Sequence, residues 1–319
     1  VLNPEAQPIA AAEAARDPIK VLFIAGCGRS GSTLLDRVLG GVDGLWSVGE
    51  LRHIFREGFL ENRLCGCGVP FHDCEFWGAV GERAFGVEAF DAESMYELQR
   101  RVDRWWRVPR LVGTHGRGRR GADLRVYRDA LRDLYLAIAA VSGTSVVVDS
   151  SKDVSHGYIL RGVGAPIEPY ILHLVRDSRA VAHSWQRHKF NPGSGRDMDR
   201  YSLVRTSADW MAINALTALH APAGARYWRL RYQDFVADPA RAVHEILDFL
   251  GEPRHDAGIS PRRTVELGSD HTVAGNPLRF RRGELEVRLD EEWRTRMPRA
   301  SRALVTALTL PMLARVRRP

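Results

Sequence analysis

The run Gly26-Cys27-Gly28-Arg29-Ser30-Gly31-Ser32-Thr33 is the part of the chain best equipped for chemistry. Glycines let a backbone curl until successive N–H groups converge, and a helix that follows offers its positive end, so such a run can cradle a phosphate-like anion. Gly26 and Gly31 have the separation found in nucleoside-triphosphatase loops, and Thr33 fits the terminal hydroxyl of that pattern. Ser32, however, stands where the pattern needs a lysine. Without that cation the β- and γ-phosphates of a triphosphate are poorly held, which argues against ATP or GTP hydrolysis. Arg29 offers one charge inside the loop, enough for a shorter anion.

Four further segments carry candidate groups. Arg176-Asp177-Ser178-Arg179 precedes Ser184, eight residues after Arg176. Two helical turns return that hydroxyl over the strand end, where the guanidinium fork can share a phosphate with it. A solvated helix start capped by Asp177 or Ser178 is the plainer alternative. Glu50, in Ser47-Val48-Gly49-Glu50-Leu51, ends a short strand and is a candidate general base, unless it only pairs with Arg52. His53 and His115 are rival bases. The stretch Ser145 to Lys152 is an apolar strand reaching Asp149, which also describes a magnesium-holding aspartate. Lys152 favours instead a cation at the sheet's edge. Phe280-Arg281-Arg282-Gly283 is a basic segment, either solvated or turned to an anion.

These groups need a scaffold that brings strand ends together. Apolar runs predict strands at Ile19–Ala25, Leu45–Val48, Ser145–Val148, Tyr170–Val175 and Tyr227–Leu230. Helical spacing separates them at 33–39, 93–107, 122–140, 178–188, 200–220 and 238–250. Strands alternating with helices predict a single α/β domain over 19–319, with a mostly parallel central sheet and helices on both faces. Residues 1–18, broken by three prolines, read as a flexible leader. Residues 51–130 read as an irregular, basic insertion that shapes an acceptor site.

Together these segments resemble sulfotransferases that use 3′-phosphoadenosine 5′-phosphosulfate. Gly28-Arg29-Ser30-Gly31-Ser32-Thr33 is similar to the 5′-phosphosulfate loop of the tyrosylprotein and Golgi carbohydrate branches. Arg176 with Ser184 resembles the 3′-phosphate element, and Arg281-Arg282 more loosely the basic segment that closes over it. Glu50 resembles the glutamate base of the tyrosylprotein branch, and Lys152 the lysine that stabilises the leaving oxygen. Arg231-Tyr232-Gln233-Asp234-Phe235, Asp238-Pro239 and Phe249-Leu250-Gly251 resemble a run common across the family. The resemblance implies a P-loop-like fold and in-line sulfuryl transfer to an acceptor hydroxyl, with no metal and with adenosine 3′,5′-bisphosphate as product. Its catalytic residues would be Glu50, Lys152 and Arg29. The alternatives are a P-loop kinase, which magnesium dependence would reveal, and a catalytically silent nucleotide-binding module.

The remaining features bound the reading. A net charge of +7 favours anionic ligands without specifying one, and nothing points to nucleic acid. Absence of a basic leader, of a spanning apolar run and of a disulfide framework suggests a cytoplasmic protein. Cys65, Cys67 and Cys74 with His72 do not have a usual zinc spacing, so buried thiols or one disulfide are expected. An acidic thiolate at Cys27 is conceivable. Trp105-Trp106 among arginines reads as half-buried packing. The apolar stretch Leu304–Leu313, interrupted by Pro311, reads as a packed terminal helix, with weak peripheral membrane contact as the alternative. Peptide, sugar, lipid and small-molecule acceptors are all compatible with the resemblance.

Overall fold

The computed structural model describes residues 18–86, 90–108, 111, 119–222, 225–256 and 258–316. The expected leader falls almost wholly outside them. Five strands, β1 (Ile19–Ala25), β2 (Leu45–Gly49), β3 (Val146–Lys152), β4 (Ile167–Val175) and β5 (Arg226–Arg231), form one sheet in the order β2-β3-β1-β4-β5. Every pairing in it is parallel. Parallel neighbours require crossovers, and helices supply them.

Period-two alternation along β1 divides the interior. Val21, Phe23 and Ala25 face one core, Leu22 and Ile24 the other. The first core is closed by α2 (Glu75–Phe85), α3 (Ala92–Val102) and α4 (Arg119–Ser142), which contribute Trp77, Leu98, Tyr127 and Tyr135. The second is closed by α1 (Ser32–Leu39) and by Pro239–Leu250, through Leu35, Leu39, Ile246 and Leu250. Helices on both faces are therefore what a sheet buried on both sides demands.

The helix boundaries explain part of the family-like run. Pro239 opens its helix with a fixed φ, Asp238 accepts the Arg241 N–H at 3.1 Å, and Gly251 closes it in the left-handed region. After β3 comes α5 (Val154–Leu160), and after β4 comes α6 (Ser178–Gln186), capped by Asp177. Asp177 thus has the capping role foreseen as its plainer reading.

Two expectations change and a third holds. Residues 51–130 are not irregular where described: a 3-10 turn and a π-helix occupy 51–60, and α2, α3 and the start of α4 follow. Phe55, Phe71 and Trp77 in this segment are core residues, so packing orders what short, glycine-broken periodicity hid. The packed terminal helix is present as expected, α8 here (Arg299–Val316; α7 is Leu203–Ala218), and Pro311 lies inside it. Val305, Thr309, Leu313 and Val316 bury one face of α8, and that tertiary burial outweighs the proline's lost hydrogen bond. Trp105 and Trp106 are 59% and 57% exposed, not half-buried, because a 3-10 turn replaces the expected continuation of α3. Among the described residues no helix is long and apolar enough to cross a membrane.

Candidate active site

Parallel register places the carboxyl ends of the strands side by side. Ala25 pairs with Lys152 on one side and His173 on the other, Gly49 pairs with Asp149, and Val175 pairs with Arg231. The loop after β1 therefore opens beside Glu50, Lys152 and Arg176. In that loop Gly31 adopts φ +95°, and a Cβ there would lie 2.3 Å from the Tyr232 ring, so only glycine fits. Gly31 also caps α1 without a side chain, leaving the first N–H groups of the helix for a ligand. The Ser30 hydroxyl is buried and has no partner in the protein. An uncapped helix start and an orphaned hydroxyl beside a guanidinium can receive an anion, and Gly28, Ser32 and Thr33 belong to the same turn.

Two residues here leave ordinary backbone space. Arg29 has φ +70° and Lys152 φ +68°, both in the left-handed region that costs a non-glycine residue about 1 kcal/mol or more. Around Lys152 the cause is visible. The β1–β3 register slips between Phe23–Asp149 and Ala25–Lys152, a bulge that extends β3 three residues past the aspartate where the strand was expected to end. The bulge turns the Lys152 side chain onto Glu50, and the two form an ion pair. His53 Nε2 lies 3.6 Å from the second Glu50 oxygen. Burial would raise the Glu50 carboxyl, but Lys152, His53 and Arg279 together hold it below the usual range. Glu50 does not pair with Arg52, which bonds Asp103 at 2.7 Å. Arg29 lies over the Trp185 ring at 4.7 Å, and burial lowers its pKa against the attraction of Glu50. His115 lies outside the described residues.

Arg176 leaves β4 buried. It donates to the Arg29 carbonyl at 3.2 Å, stacks over Tyr232 at 4.7 Å and pairs with Asp290 at 3.3 Å. Ser184 sits on α6 in a half-buried position. The arginine thus links the loop after β1 to the Asp290 carbonyl, 3.1 Å away, while keeping a carboxylate partner that an anion would have to displace. Arg281 and Arg282 are exposed. Arg282 turns to the Cys67 carbonyl at 2.6 Å and Arg281 to the Glu284 carbonyl at 3.5 Å. Neither contact leads toward Arg176.

Asp149 is completely buried, and its oxygens are taken. Tyr135 donates to it at 2.6 Å, the Ser151 N–H at 2.8 Å and the Ser151 hydroxyl more closely still. His156 completes a buried chain, with Nε2 3.6 Å from Asp149 and Nδ1 3.5 Å from Asp103. These are ion-pair distances. An aspartate so engaged has no face for magnesium, which removes the main support for the kinase alternative.

Burial would lower the His156 pKa, but the two carboxylates raise it to about 9. A folded value above the ordinary 6.5 or so means that the imidazolium stabilises the fold fully below about pH 6.5 and progressively less as pH rises through 9. The urea midpoint is therefore expected to fall between pH 6.5 and 9.5 or so. His156→Gln should lower stability at pH 6.5 by about 3 kcal/mol and flatten that slope. An unchanged slope in the variant would show that the imidazolium is not its source.

Several functional positions escaped sequence reasoning. Tyr232 appeared only as part of a family-like run, yet its ring fixes both Gly31 and Arg176. Trp185 follows Ser184 directly, and a neighbour of a suspected phosphate ligand was the available signal. Asp290 carried none. Lys189, bonded to Asn276 at 2.6 Å, has its pKa lowered by burial and by nearby Arg29 and Arg187, so it adds charge on the same side. Burial pushes the Cys27 thiol up to about 12, reinforced by Asp209 and eased by Lys152, which favours the neutral thiol over an acidic thiolate.

The profile described as "Sulfotransferase family" matches residues 21–256. No curated protein matches the chain significantly. Among solved structures, the sulfotransferase domain from the curacin biosynthetic pathway is 17% identical, with a TM-score of 0.46 over 92% of this chain and 97% of that one. Sulfotransferase STF9 from Mycobacterium avium is 12% identical, with a TM-score of 0.41 over 76% and 67%. A sulfotransferase from Alicyclobacillus acidocaldarius is 13% identical, with a TM-score of 0.34 over 95% and 100%.

Proposed function

The chain belongs to the sulfotransferase family, and on that premise we propose that it moves the sulfuryl group of 3′-phosphoadenosine 5′-phosphosulfate onto an acceptor hydroxyl. The observation that carries the reading is the ion pair of Glu50 and Lys152 at the edge where the Arg29 loop opens. One group can take a proton and the other can meet a leaving oxygen, next to a cradle suited to a phosphosulfate.

In this reading the N–H groups of Ser32 and Thr33, with Arg29 and the Ser30 hydroxyl, hold the 5′ end of the donor. Arg176 and Ser184 hold the 3′-phosphate. The acceptor oxygen attacks sulfur in line, the acceptor proton goes to the Glu50 carboxylate, and the bond from sulfur to the bridging oxygen breaks. Lys152 and Arg29 stabilise the charge left on the 5′-phosphate of adenosine 3′,5′-bisphosphate. Arg281 and Arg282 are given no part, because their contacts point to the Cys67 loop and to Glu284.

Calorimetry tests the donor assignment. The protein is expected to bind adenosine 3′,5′-bisphosphate about 10- to 100-fold more tightly than AMP, the value of one or two charge-assisted contacts. Arg176→Ala should abolish most of that preference. Equal affinities for the two nucleotides in the wild-type protein would overturn it.

A further inference from the structure

Cys65, Cys67 and Cys74 lie far from His271 in sequence but meet it in space. Among the described residues, these four present one ligand atom each, all within 4.8 Å of one another. Cys74 Sγ is 3.2 Å from His271 Nδ1, Cys65 Sγ is 3.9 Å from the same nitrogen, and Cys67 Sγ is 3.9 Å from Cys74 Sγ. All four cysteines of the chain are free thiols. The edges of a tetrahedron around zinc, with bonds of about 2.0–2.3 Å, span about 3.5–3.8 Å. Three of the six edges are therefore close to those of a zinc shell, and no pair is more than 4.8 Å apart. His72, the histidine that sequence spacing suggested, is not in the cluster: its Nε2 lies 3.0 Å from the Phe59 carbonyl.

The surroundings are built for this convergence. The Cys65–Gly68 turn closes through the Gly68 N–H to the Cys65 carbonyl at 2.8 Å. At Gly66 a Cβ would lie 2.1 Å from Asp270 Oδ1 and 2.5 Å from Thr272 Oγ1, so only glycine lets the turn press against the segment that carries His271. The Gly66 N–H donates to the Thr272 carbonyl at 2.9 Å, and Trp77 donates to the His271 carbonyl at 2.7 Å. Arg282 donates to the Cys67 carbonyl. Three thiolates and a neutral imidazole around a dication leave one net negative charge, which suits a site with Arg282 on its rim and Arg279 buried behind it.

We propose that Cys65, Cys67, Cys74 and His271 bind one zinc ion in a closed, structural Cys₃His site. Four protein ligands leave no open position, so the ion has no role in the chemistry. What it would secure is the 270–275 segment. Val273 bonds to the Val48 carbonyl at 3.0 Å and Glu50 to the Ala274 carbonyl at 3.4 Å, so the clamp stands directly behind the β2 edge and Glu50.

Elemental analysis of the purified full chain tests the site. About one zinc per chain is expected, resistant to gel filtration, with cobalt substitution giving the intense visible absorption of a tetrahedral thiolate complex. His271→Ala and Cys67→Ser should fall below about a tenth of an equivalent, while His271→Cys, a Cys₄ set, should retain about one. That last variant separates loss of a ligand from loss of the fold. Two results would overturn the proposal. One is wild-type protein with less than about a tenth of an equivalent that takes up no added Zn²⁺ from a chromophoric chelator. The other is a Cys67–Cys74 disulfide found by peptide mass mapping of the native protein.

Discussion

Glu50→Gln is expected to bind adenosine 3′,5′-bisphosphate as the wild-type protein does and to lose turnover by about 10²–10⁴. The amide keeps the size of the side chain but cannot accept a proton. In the protein without donor, Lys152 is the strongest cation acting on this carboxylate, and with His53 and Arg279 it overcomes burial to hold Glu50 below its ordinary range. A carboxylate so held is a weak base. In the proposed reaction, arrival of the donor would give the Lys152 ammonium a second anion to meet at the bridging oxygen. A lysine drawn toward it would leave burial to act on Glu50 with less opposition, and the proton affinity of the carboxylate would rise. On that proposal the base would strengthen only when a donor is bound. Single-turnover kinetics with saturating donor, alongside calorimetry of the bisphosphate, measures both halves. A Glu50→Gln enzyme that turns over normally would move the base to His53, whose Nε2 is 3.6 Å away.

How far the sequence reaches depends on how local each feature is. β1 was legible to the residue, because a fully buried strand in a parallel sheet is a continuous apolar run that stops at glycine. The turn between β1 and α1 was legible because the backbone geometry it needs is written in its own glycines. Lys152 and Glu50 were legible as strand-end groups, but their contact was not, since it depends on a bulge two residues long and on strand order. The cluster around His271 was invisible for a plainer reason: its fourth ligand is 197 residues from Cys74. Spacing rules see only neighbours, and they offered His72 instead. The aromatic packing of 51–85 was likewise hidden, because its order comes from long-range burial and not from periodicity.

Lys152→Ala is expected to lower turnover by about 10²–10³, or about 3–4 kcal/mol, while changing bisphosphate affinity far less. As the bond from sulfur to the bridging oxygen breaks, negative charge grows on the departing phosphate, and a cation placed there favours the transition state over the ground state. Local contacts fix the Lys152 ammonium where it stands. The left-handed backbone at Lys152 follows from the bulge in β3, and the ammonium is tethered by the Ser150 carbonyl at 3.1 Å and by Glu50. Backbone strain of this kind is kept where surrounding structure enforces it, and here Asp149 does so by gripping the Ser151 N–H and hydroxyl inside the core. Lys152→Arg should recover only part of the rate, because a planar fork does not occupy the place of a compact ammonium. Removing Asp149 should act differently: Asp149→Ala leaves His156 without one of its carboxylates and should cost stability first. Turnover in excess chelator distinguishes the two kinds of transfer. A magnesium-dependent phosphoryl transfer would stop at once, whereas sulfuryl transfer by Lys152 should continue for as long as the fold persists. A Lys152→Ala enzyme that runs at the wild-type rate would show that the leaving oxygen finds its charge elsewhere, with Arg29 the nearest candidate in the loop.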